Sequence, residues 1–140
     1  MPQRPDDASI QDSDSLWRGF GSTVVKGGVE RVPSSAFKTN TGPDGEVSVD
    51  VAKLTTVAAA FRRRPDNIGY LADIDAGLPR SLSVEVSDAQ APRHYTVYLW
   101  DDGSGNPAHA HVHPPDGASS GQQDRYAKIM ALRAKFIRRP

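Results

Sequence analysis

The feature that most constrains the fold is the run Glu46–Val51, in which valine alternates with polar residues. Because successive side chains of a β-strand point to opposite faces of a sheet, the three valines would face a core and the residues between them would face away. Alternation of this kind is typical of a strand that is buried on one face. The run therefore predicts a half-buried strand.

Directly after this run the apolar residues change to a helical period. Residues at i, i+3, i+4 and i+7 lie on one face of an α-helix, and Pro65 is a residue at which a helix ends. We therefore expect an amphipathic helix near residues 54–63. Its apolar face consists of Leu54, Val57, Ala58 and Phe61.

All four histidines of the chain lie in a second patterned stretch, residues 94–113, which has the composition of a β-hairpin. Residues 94–100 are rich in β-branched and aromatic side chains, and residues 101–107 are turn formers. Residues 108–113 alternate strictly before Pro114 ends the pattern. Two strands joined by a loop are expected here.

The alternation of the second strand sorts its histidines from its apolar side chains. The histidines share one face, and the alanines and valine between them share the other. If the apolar faces of the two strands match, the histidines lie on the same side as His94, Tyr98 and Trp100. The hairpin thus predicts a face that collects four imidazoles and two large aromatic rings. The histidines of the second strand are His109, His111 and His113.

Two interpretations of this face are open. In the first, His-x-His on a strand directs two ring nitrogens to the same side from positions roughly 7 Å apart, so that Zn²⁺ could bind both with a third ligand from a neighbour. In the second, the histidines are ordinary polar residues of an exposed sheet face. Without a metal, His109 and His111 are candidates for acid–base catalysis. The candidate metal ligands are His94, His109, His111 and His113.

A second helix is expected over residues 122–137. Its apolar side chains fall within an arc of about 160° at 100° per residue. Lys128, Lys135 and Arg139 fall together on the opposite side. This basic face predicts binding to an acidic protein partner, and the alternative is that the three side chains only solvate the helix. The apolar residues of the arc are Tyr126, Ile129, Met130, Leu132, Phe136 and Ile137.

Charge is distributed unevenly, although the chain of 140 residues is neutral as a whole. Residues 1–15 carry one arginine and four aspartates, and residues 124–140 carry six lysines or arginines and one aspartate. Residues 1–14 have no apolar periodicity, so we expect a disordered acidic tail.

The remaining chain, residues 15–138, is expected to form a single α+β domain. Its mainly antiparallel sheet should have roughly four to six strands, with the internal helix and the C-terminal helix on one face. The predicted core consists of Trp17, Phe37, Val47, Val49, Leu54, Phe61, Leu82, Val84, Val97, Leu99, Ile129, Met130 and Phe136.

Several classes of function lack their sequence signals. There is no cysteine, so disulfides, thiolate metal sites and a cysteine nucleophile are excluded. No apolar run reaches the ~20 residues of a membrane span, and the N-terminus lacks the order of a signal peptide, so we expect a cytoplasmic protein without a membrane partner. Phosphate-loop and dinucleotide motifs are absent, and without a basic stripe interleaved with aromatic residues nucleic-acid binding is not expected.

Four short segments resemble the pattern of a family of short bacterial proteins without an assigned activity, and that family implies no mechanism. The segments are Leu16–Gly19, Val32–Phe37, Glu46–Val51 and Asn106–Ala110, so the resemblance spans about residues 16–113. A second resemblance is to ADP-ribosyltransferase-like folds, which combine an arginine or histidine on a first strand, a serine or tyrosine motif in the middle of the chain and a glutamate on a late strand. No Glu-x-Glu motif is present here. The residues that would match are Arg18, Ser34, Ser35 and Glu85.

The leading interpretation is a non-catalytic interaction or accessory module that acts through protein contacts. The first alternative is a histidine-centred enzyme, with or without Zn²⁺, that uses His109 and His111. The second alternative is ADP-ribosyl transfer. The metal content of protein purified without a histidine tag, together with the side-chain positions around His109, separates these classes.

Overall fold

The computed structural model describes residues 2–39, 45–87 and 89–140. Residue 1 of the predicted tail and residues 40–44 and 88 of the predicted domain lie outside the described residues. A short 3₁₀ turn, Ala52–Leu54, precedes the first helix. In chain order the elements are β1 (Ser15–Phe20), β2 (Val24–Lys26), β3 (Val29–Arg31), β4 (Val47–Val51), α1 (Val57–Arg62), β5 (Tyr70–Asp75), α2 (Gly77–Ser81), β6 (Ser83–Val84), β7 (Arg93–His94), β8 (Thr96–Leu99), β9 (His109–His113), α3 (Ser120–Arg133) and β10 (Lys135–Arg138).

The main sheet has six strands in the order β10–β5–β1–β4–β9–β8, and each neighbouring pair is antiparallel. β2 pairs with β3, and β6 pairs with β7, in two small sheets. Together with the helices, these sheets confirm the predicted α+β class and its antiparallel sheet. None of the described helices has the length and hydrophobicity of a membrane-spanning segment.

The sheet packs against helices on both of its faces. Neighbouring residues of each strand point to opposite faces, so they belong to different apolar clusters. Leu16 of β1 lies opposite Val51, and both belong to the larger apolar cluster, to which α3 contributes Met130. The next residue, Trp17, belongs to a smaller cluster, to which α1 contributes Phe61. The two helices therefore lie on opposite faces, whereas the sequence predicted a shared face. Helical period identifies an apolar stripe but not the face of the sheet against which it packs.

The predicted core is largely buried. Leu54 is the exception: it is exposed, because it lies in the 3₁₀ turn before α1 rather than on the apolar stripe of that helix. Leu82, Leu99, Ile129 and Phe136 are half-buried. The buried residues of the prediction are Trp17, Phe37, Val47, Val49, Phe61, Val84, Val97 and Met130.

Ser119 caps the N-terminus of α3, and the helix ends earlier than predicted. The Ser119 hydroxyl accepts from the Gln122 backbone N–H, and the Gln122 side chain accepts from the Ser119 backbone N–H, which is a capping box. The helix ends at Arg133 rather than at residue 137, and Lys135–Arg138 forms β10. Pairing of this segment with the edge of β5 at Tyr70–Asp73 outweighs its local helical period.

Residues 2–14 contain no helix or strand, but they are docked on the sheet rather than free. The backbone N–H of Asp7 donates to the Val97 carbonyl at 2.9 Å, and the Asp6 carboxylate accepts from the Val97 N–H at 2.7 Å. Ile10 is buried in the larger apolar cluster. The expected disordered tail is thus corrected to a segment that lies along the outer edge of β8. Composition could not show that its aspartates bond the backbone of an edge strand.

Candidate functional site

The histidine hairpin forms with its apolar faces matched, as predicted. Tyr98 of β8 lies opposite His111 of β9, so the β9 histidines share a face with Tyr98. His94 does not join them: it is exposed on β7, which pairs with β6. We use the name histidine face for the side chains of Tyr98, Trp100, His109, His111 and His113.

The histidine face is covered rather than open to solvent. His111 and His113 are buried. The indole of Trp100 stacks on the ring of His111 with centroids 5.1 Å apart, and the Arg4 guanidinium lies 4.2 Å from the centre of the indole. The Gln3 side chain donates to the His113 carbonyl at 3.1 Å. The interpretation as an exposed face of ordinary polar residues is therefore wrong, because the N-terminal segment lies against it.

His111 is held as a neutral imidazole. Burial lowers the pKa of His111 to about 4, and the nearby charge of His109 contributes to the shift. Its Nδ1 is buried and has no hydrogen-bond partner in the described part of the chain. Because a buried unpaired charge costs far more than a buried neutral nitrogen, the ring carries no charge at neutral pH. His111 thus acts as a flat stacking partner for Trp100.

His113 pairs with Tyr98 in the interior of the histidine face. The Tyr98 hydroxyl oxygen and His113 Nδ1 are 2.8 Å apart. Burial raises the pKa of Tyr98, and the Glu46 carboxylate contributes further to the rise. The phenol therefore keeps its proton at neutral pH. Since both rings are buried, this pair serves the packing of the sheet.

His109 differs from the other two histidines of β9 because its side chain is not fully buried. Its Nδ1 lies 3.0 Å from the Trp100 carbonyl oxygen and 3.3 Å from Oδ2 of Asp102. The His109 side chain is 13% exposed and that of Asp102 is 39% exposed. Hydrogen bonds from Ser104 hold the pKa of the Asp102 carboxyl below its usual range. His109 is thus oriented where solvent reaches it.

A buried carboxylate lies next to His109. Asp50 of β4 is the residue opposite His109 in the sheet. Its carboxylate accepts from Arg64 at 2.8 Å and from Asn106 at 2.9 Å, and Arg63 lies 3.5 Å away. These hydrogen bonds and ion pairs connect the C-terminal end of α1 to the loop between β8 and β9. They were not predicted, because ion pairs between distant elements leave no periodic signal in a sequence.

The predicted metal ligands do not converge. His94 lies on a different strand, and Nδ1 of His113 is engaged by Tyr98. Within residues 2–39, 45–87 and 89–140, no group of three or more His, Cys, Asp or Glu residues is placed to hold a metal ion. The arrangement of side chains therefore does not support a Zn²⁺ site at His109 and His111.

A second surface lies on the other face of the sheet, beside β10. It is a groove of about 1100 Å³ between α3, β10 and the β2–β3 hairpin. Lys128, Ala131 and Leu132 line it from α3, with the i, i+3, i+4 spacing of one helical stripe. Leu132 is 70% exposed, although it was predicted on the buried arc of the helix. We name this surface the basic groove and define it by Lys26, Val29, Arg31, Lys128, Leu132 and Phe136.

The hairpin side of the basic groove depends on a tight turn. Gly27 and Gly28 have φ angles of 57° and 77°, which are the positive dihedrals of a two-residue type I′ loop. Lys26 and Val29 lie opposite each other across the hairpin, so they share the face that lines the groove. Val29 is 52% exposed. The Gly-Gly pair was a visible turn signal, but nothing local shows that this hairpin packs beside α3.

Most charged residues that line the basic groove are positively charged. Glu30 is the acidic residue among its lining residues, and both of its oxygens are engaged, one by the Thr23 hydroxyl and one by Arg138. Three of the basic residues that line the groove form no ion pair with the described residues. Their charge is therefore available to a partner. These residues are Lys26, Arg31 and Lys128.

The predicted partner-binding residues are separated in the structure. Lys128 lies in the basic groove, and Lys135 lies at its end, where its charge also acts on Asp73 of β5. Arg139 is misplaced in the prediction: it donates to two backbone carbonyls at 2.9 and 2.8 Å and lies 4.8 Å from the centre of the Phe61 ring. Because the chain leaves α3 at residue 133, the helical spacing does not extend to Arg139.

Comparisons of the chain with protein-family models, with curated proteins and with solved structures give no match. The resemblance to a family of short bacterial proteins stays a prediction.

The residues of the ADP-ribosyltransferase-like resemblance are only partly brought together. Arg18 donates from Nε to the Ala36 carbonyl at 3.2 Å, which places it beside residues 34–35. Glu85 is exposed, and its backbone carbonyl accepts from the side chain of Gln122. Since the described contacts do not connect Glu85 to the arginine, this alternative also stays a prediction.

Proposed function

We propose that the protein is an interaction module whose basic groove binds an acidic, partly apolar segment of a protein partner. Leu132 carries the proposal: it is a large apolar side chain, 70% exposed, on the helical stripe that lines the groove. Val29 lines the same groove from the hairpin and is also exposed. Exposed apolar side chains gathered in a groove with a polar rim are typical of a binding site for a protein segment.

Charge determines the chemistry of the occupant. Lys26, Arg31 and Lys128 form no ion pair with the described residues, and the carboxylate of Glu30 is already engaged. An acidic segment would pair with these cations while its apolar side chains cover Leu132. The groove, at about 1100 Å³, is larger than the ~300–1,000 Å³ typical of small-ligand pockets, so an extended or helical peptide suits it better than a small molecule.

A synthetic peptide tests the proposal. The probe is a fluorescein-labelled amphipathic peptide with leucines at i, i+4 and i+7 and glutamates at the positions between. We expect saturable binding by fluorescence anisotropy at low ionic strength, with an affinity that falls as salt is added. A second peptide with glutamine in place of every glutamate should bind about tenfold more weakly or worse.

Leu132→Asp is the decisive variant. Because the side chain is largely exposed, the free energy of unfolding should change by no more than ~0.5 kcal/mol. Binding of the acidic peptide should weaken by about tenfold or more, because an apolar contact is lost and a like charge is introduced. Leu54→Asp is the matched control, since Leu54 is also an exposed leucine but lies outside the groove. Equal binding by the two variants would refute the proposal.

A further inference from the structure

We propose that the acidic partner segment binds as an extended β-strand along the outer edge of β10, where it adds a further strand to the main sheet. This inference rests on the proposed function of the basic groove, and it assigns a conformation to the bound segment. Exposed apolar and basic side chains suit either a helix or a strand. The backbone of β10 distinguishes the two, because only a strand can pair with it.

The backbone groups of β10 point alternately toward β5 and away from it. In an antiparallel pair, residues that exchange backbone hydrogen bonds alternate with residues that do not. Just after β10 the Arg139 N–H donates to the Gly69 carbonyl at 2.8 Å, in the register of the strand pair. Ile137, two residues earlier, therefore also bonds to β5. The backbone N–H and C=O groups of Phe136 and Arg138 point to the outer side.

This outer edge is open. β10 is the last strand on its side of the sheet, and the described residues provide no hydrogen-bond partner for the backbone N–H of Phe136 or Arg138. At the opposite edge, by contrast, the N-terminal segment bonds to both backbone groups of Val97 in β8. Unpaired donors and acceptors along an edge strand are a template for pairing with another chain.

The open edge lies in the basic groove, because Phe136 lines that groove. The wall opposite β10 is one face of the β2–β3 hairpin. Lys26 lies opposite Val29, and Val24 lies opposite Arg31, so these four side chains share a face, and all of them line the groove. A strand added to β10 would direct every second side chain toward this wall.

The charge beside the edge favours an acidic strand. Lys135 belongs to β10 itself, and Lys26 and Arg31 lie in the hairpin wall. None of the three forms an ion pair within the described part of the chain. Positive side chains on an edge strand repel a second copy of the same edge and attract carboxylates. The occupant is therefore an extended segment in which aspartate or glutamate alternates with apolar residues.

Peptides of equal composition test the conformation of the bound segment. The first is the acidic probe with leucines at i, i+4 and i+7, and the second rearranges the same residues so that the leucines stand at i, i+2 and i+4. We expect the alternating peptide to bind the full-length protein about tenfold more tightly or better, by fluorescence anisotropy. N-methylation of all its backbone amides should weaken binding by about tenfold or more, because the peptide then has no donors for the edge.

A proline substitution tests the edge from the side of the protein. Proline lacks the backbone N–H, and an edge strand tolerates it where that N–H points to solvent. Arg138→Pro should therefore keep the pairing with β5 and lose one outward donor. Arg138→Ala is the matched control, since it also loses the contact with Glu30 but keeps the N–H. We expect Arg138→Pro to bind the alternating peptide about tenfold more weakly than Arg138→Ala, or worse.

Hydrogen exchange of the wild type keeps the proposal falsifiable if Arg138→Pro fails to fold. A saturating concentration of the alternating peptide should slow amide exchange at Phe136 and Arg138 by about tenfold or more. Unchanged exchange, equal binding by the two Arg138 variants, or tighter binding of the peptide with helical spacing would overturn strand addition and leave the basic groove as a binding surface. Binding of neither peptide would overturn the proposed function as well.

Discussion

At the scale of single residues, the sheet accommodates the buried titratable groups Asp50 and His111 in different ways. Asp50 is surrounded by Arg64, Arg63 and Asn106, while Nδ1 of His111 has no hydrogen-bond partner in the described part of the chain. A buried charge is tolerated where it is paired, and a buried group without a partner is kept neutral. Removing the charge of Asp50 should therefore lower the stability of the fold, whereas replacing His111 by a side chain that does not titrate should not.

The carboxylate of Asp50 should be essential to stability. Asp50→Asn leaves the guanidiniums of Arg64 and Arg63 without their counter-charge, so we expect a loss of roughly 3–5 kcal/mol in the free energy of unfolding. Urea denaturation measures it. Asp12→Asn is the control, because Asp12 is 79% exposed in its pair with Arg80. That change should stay within about 1 kcal/mol. Similar losses in the two variants would contradict this account of the network.

Acid should destabilise the protein through His111. The pKa of His111 is about 4 in the folded state and roughly 6.5 in an unfolded chain. The unfolded state therefore binds the proton first, so stability is fully present above about pH 6.5 and is lost as the pH falls toward 4. His111→Phe can still stack on Trp100 but does not titrate. Its melting temperature should fall less than that of the wild type between about pH 7 and pH 4.5. Parallel declines would contradict the assignment.

At the scale of elements, the N-terminal segment protects an edge of the sheet. β8 is the last strand on its side, and an unprotected edge strand can pair with another chain. The Asp6 carboxylate accepts a hydrogen bond from the Val97 N–H, and the Asp7 N–H donates one to the Val97 carbonyl. Ile10 belongs to the larger apolar cluster. The segment is thus part of the domain although its composition is that of a tail.

Ile10 provides a direct test of this docking. Ile10→Ala should destabilise the protein by about 2–4 kcal/mol, because a fully buried isoleucine is replaced by a smaller side chain. Ser9→Ala, at the exposed neighbouring residue, should change stability by less than about 1 kcal/mol. Thermal unfolding of the two variants measures the difference. If Ile10→Ala melts with the wild type, the segment is a free tail, as the sequence alone suggested.

The sequence predicted those elements whose signal is local. The alternation of Glu46–Val51 and of the second histidine strand identified β4 and β9, and the i, i+3, i+4 spacing identified α1. β10 was missed because Lys135–Arg138 fits a helical arc by its sequence, and only its pairing with β5 makes it a strand. The candidate surfaces were predicted only as lists of residues. That His94 and Arg139 lie elsewhere depends on pairings between distant elements, which no local pattern records.

At the scale of the whole molecule, the two candidate surfaces are separated by the sheet. The histidine face lies on the side covered by α1 and toward the β8 edge, whereas the basic groove lies on the side covered by α3 and beside the β10 edge. Changes at Leu132 and at His109 should therefore act independently, as sites without shared partners do. Binding of a partner in the basic groove can therefore be examined without disturbing the histidine face.

Site-specific photo-crosslinking in cells measures partner binding by the basic groove most directly. A benzophenone amino acid replaces Leu132 in one protein and Leu54 in another, and mass spectrometry identifies the crosslinked segments. We expect position 132 to capture segments rich in aspartate and glutamate. Capture should be lost when Lys26, Arg31 and Lys128 are changed to glutamate, and position 54 should not capture the same segments. Identical segments from both positions, or capture that survives the charge reversal, would show that the basic groove is not the binding surface for an acidic segment.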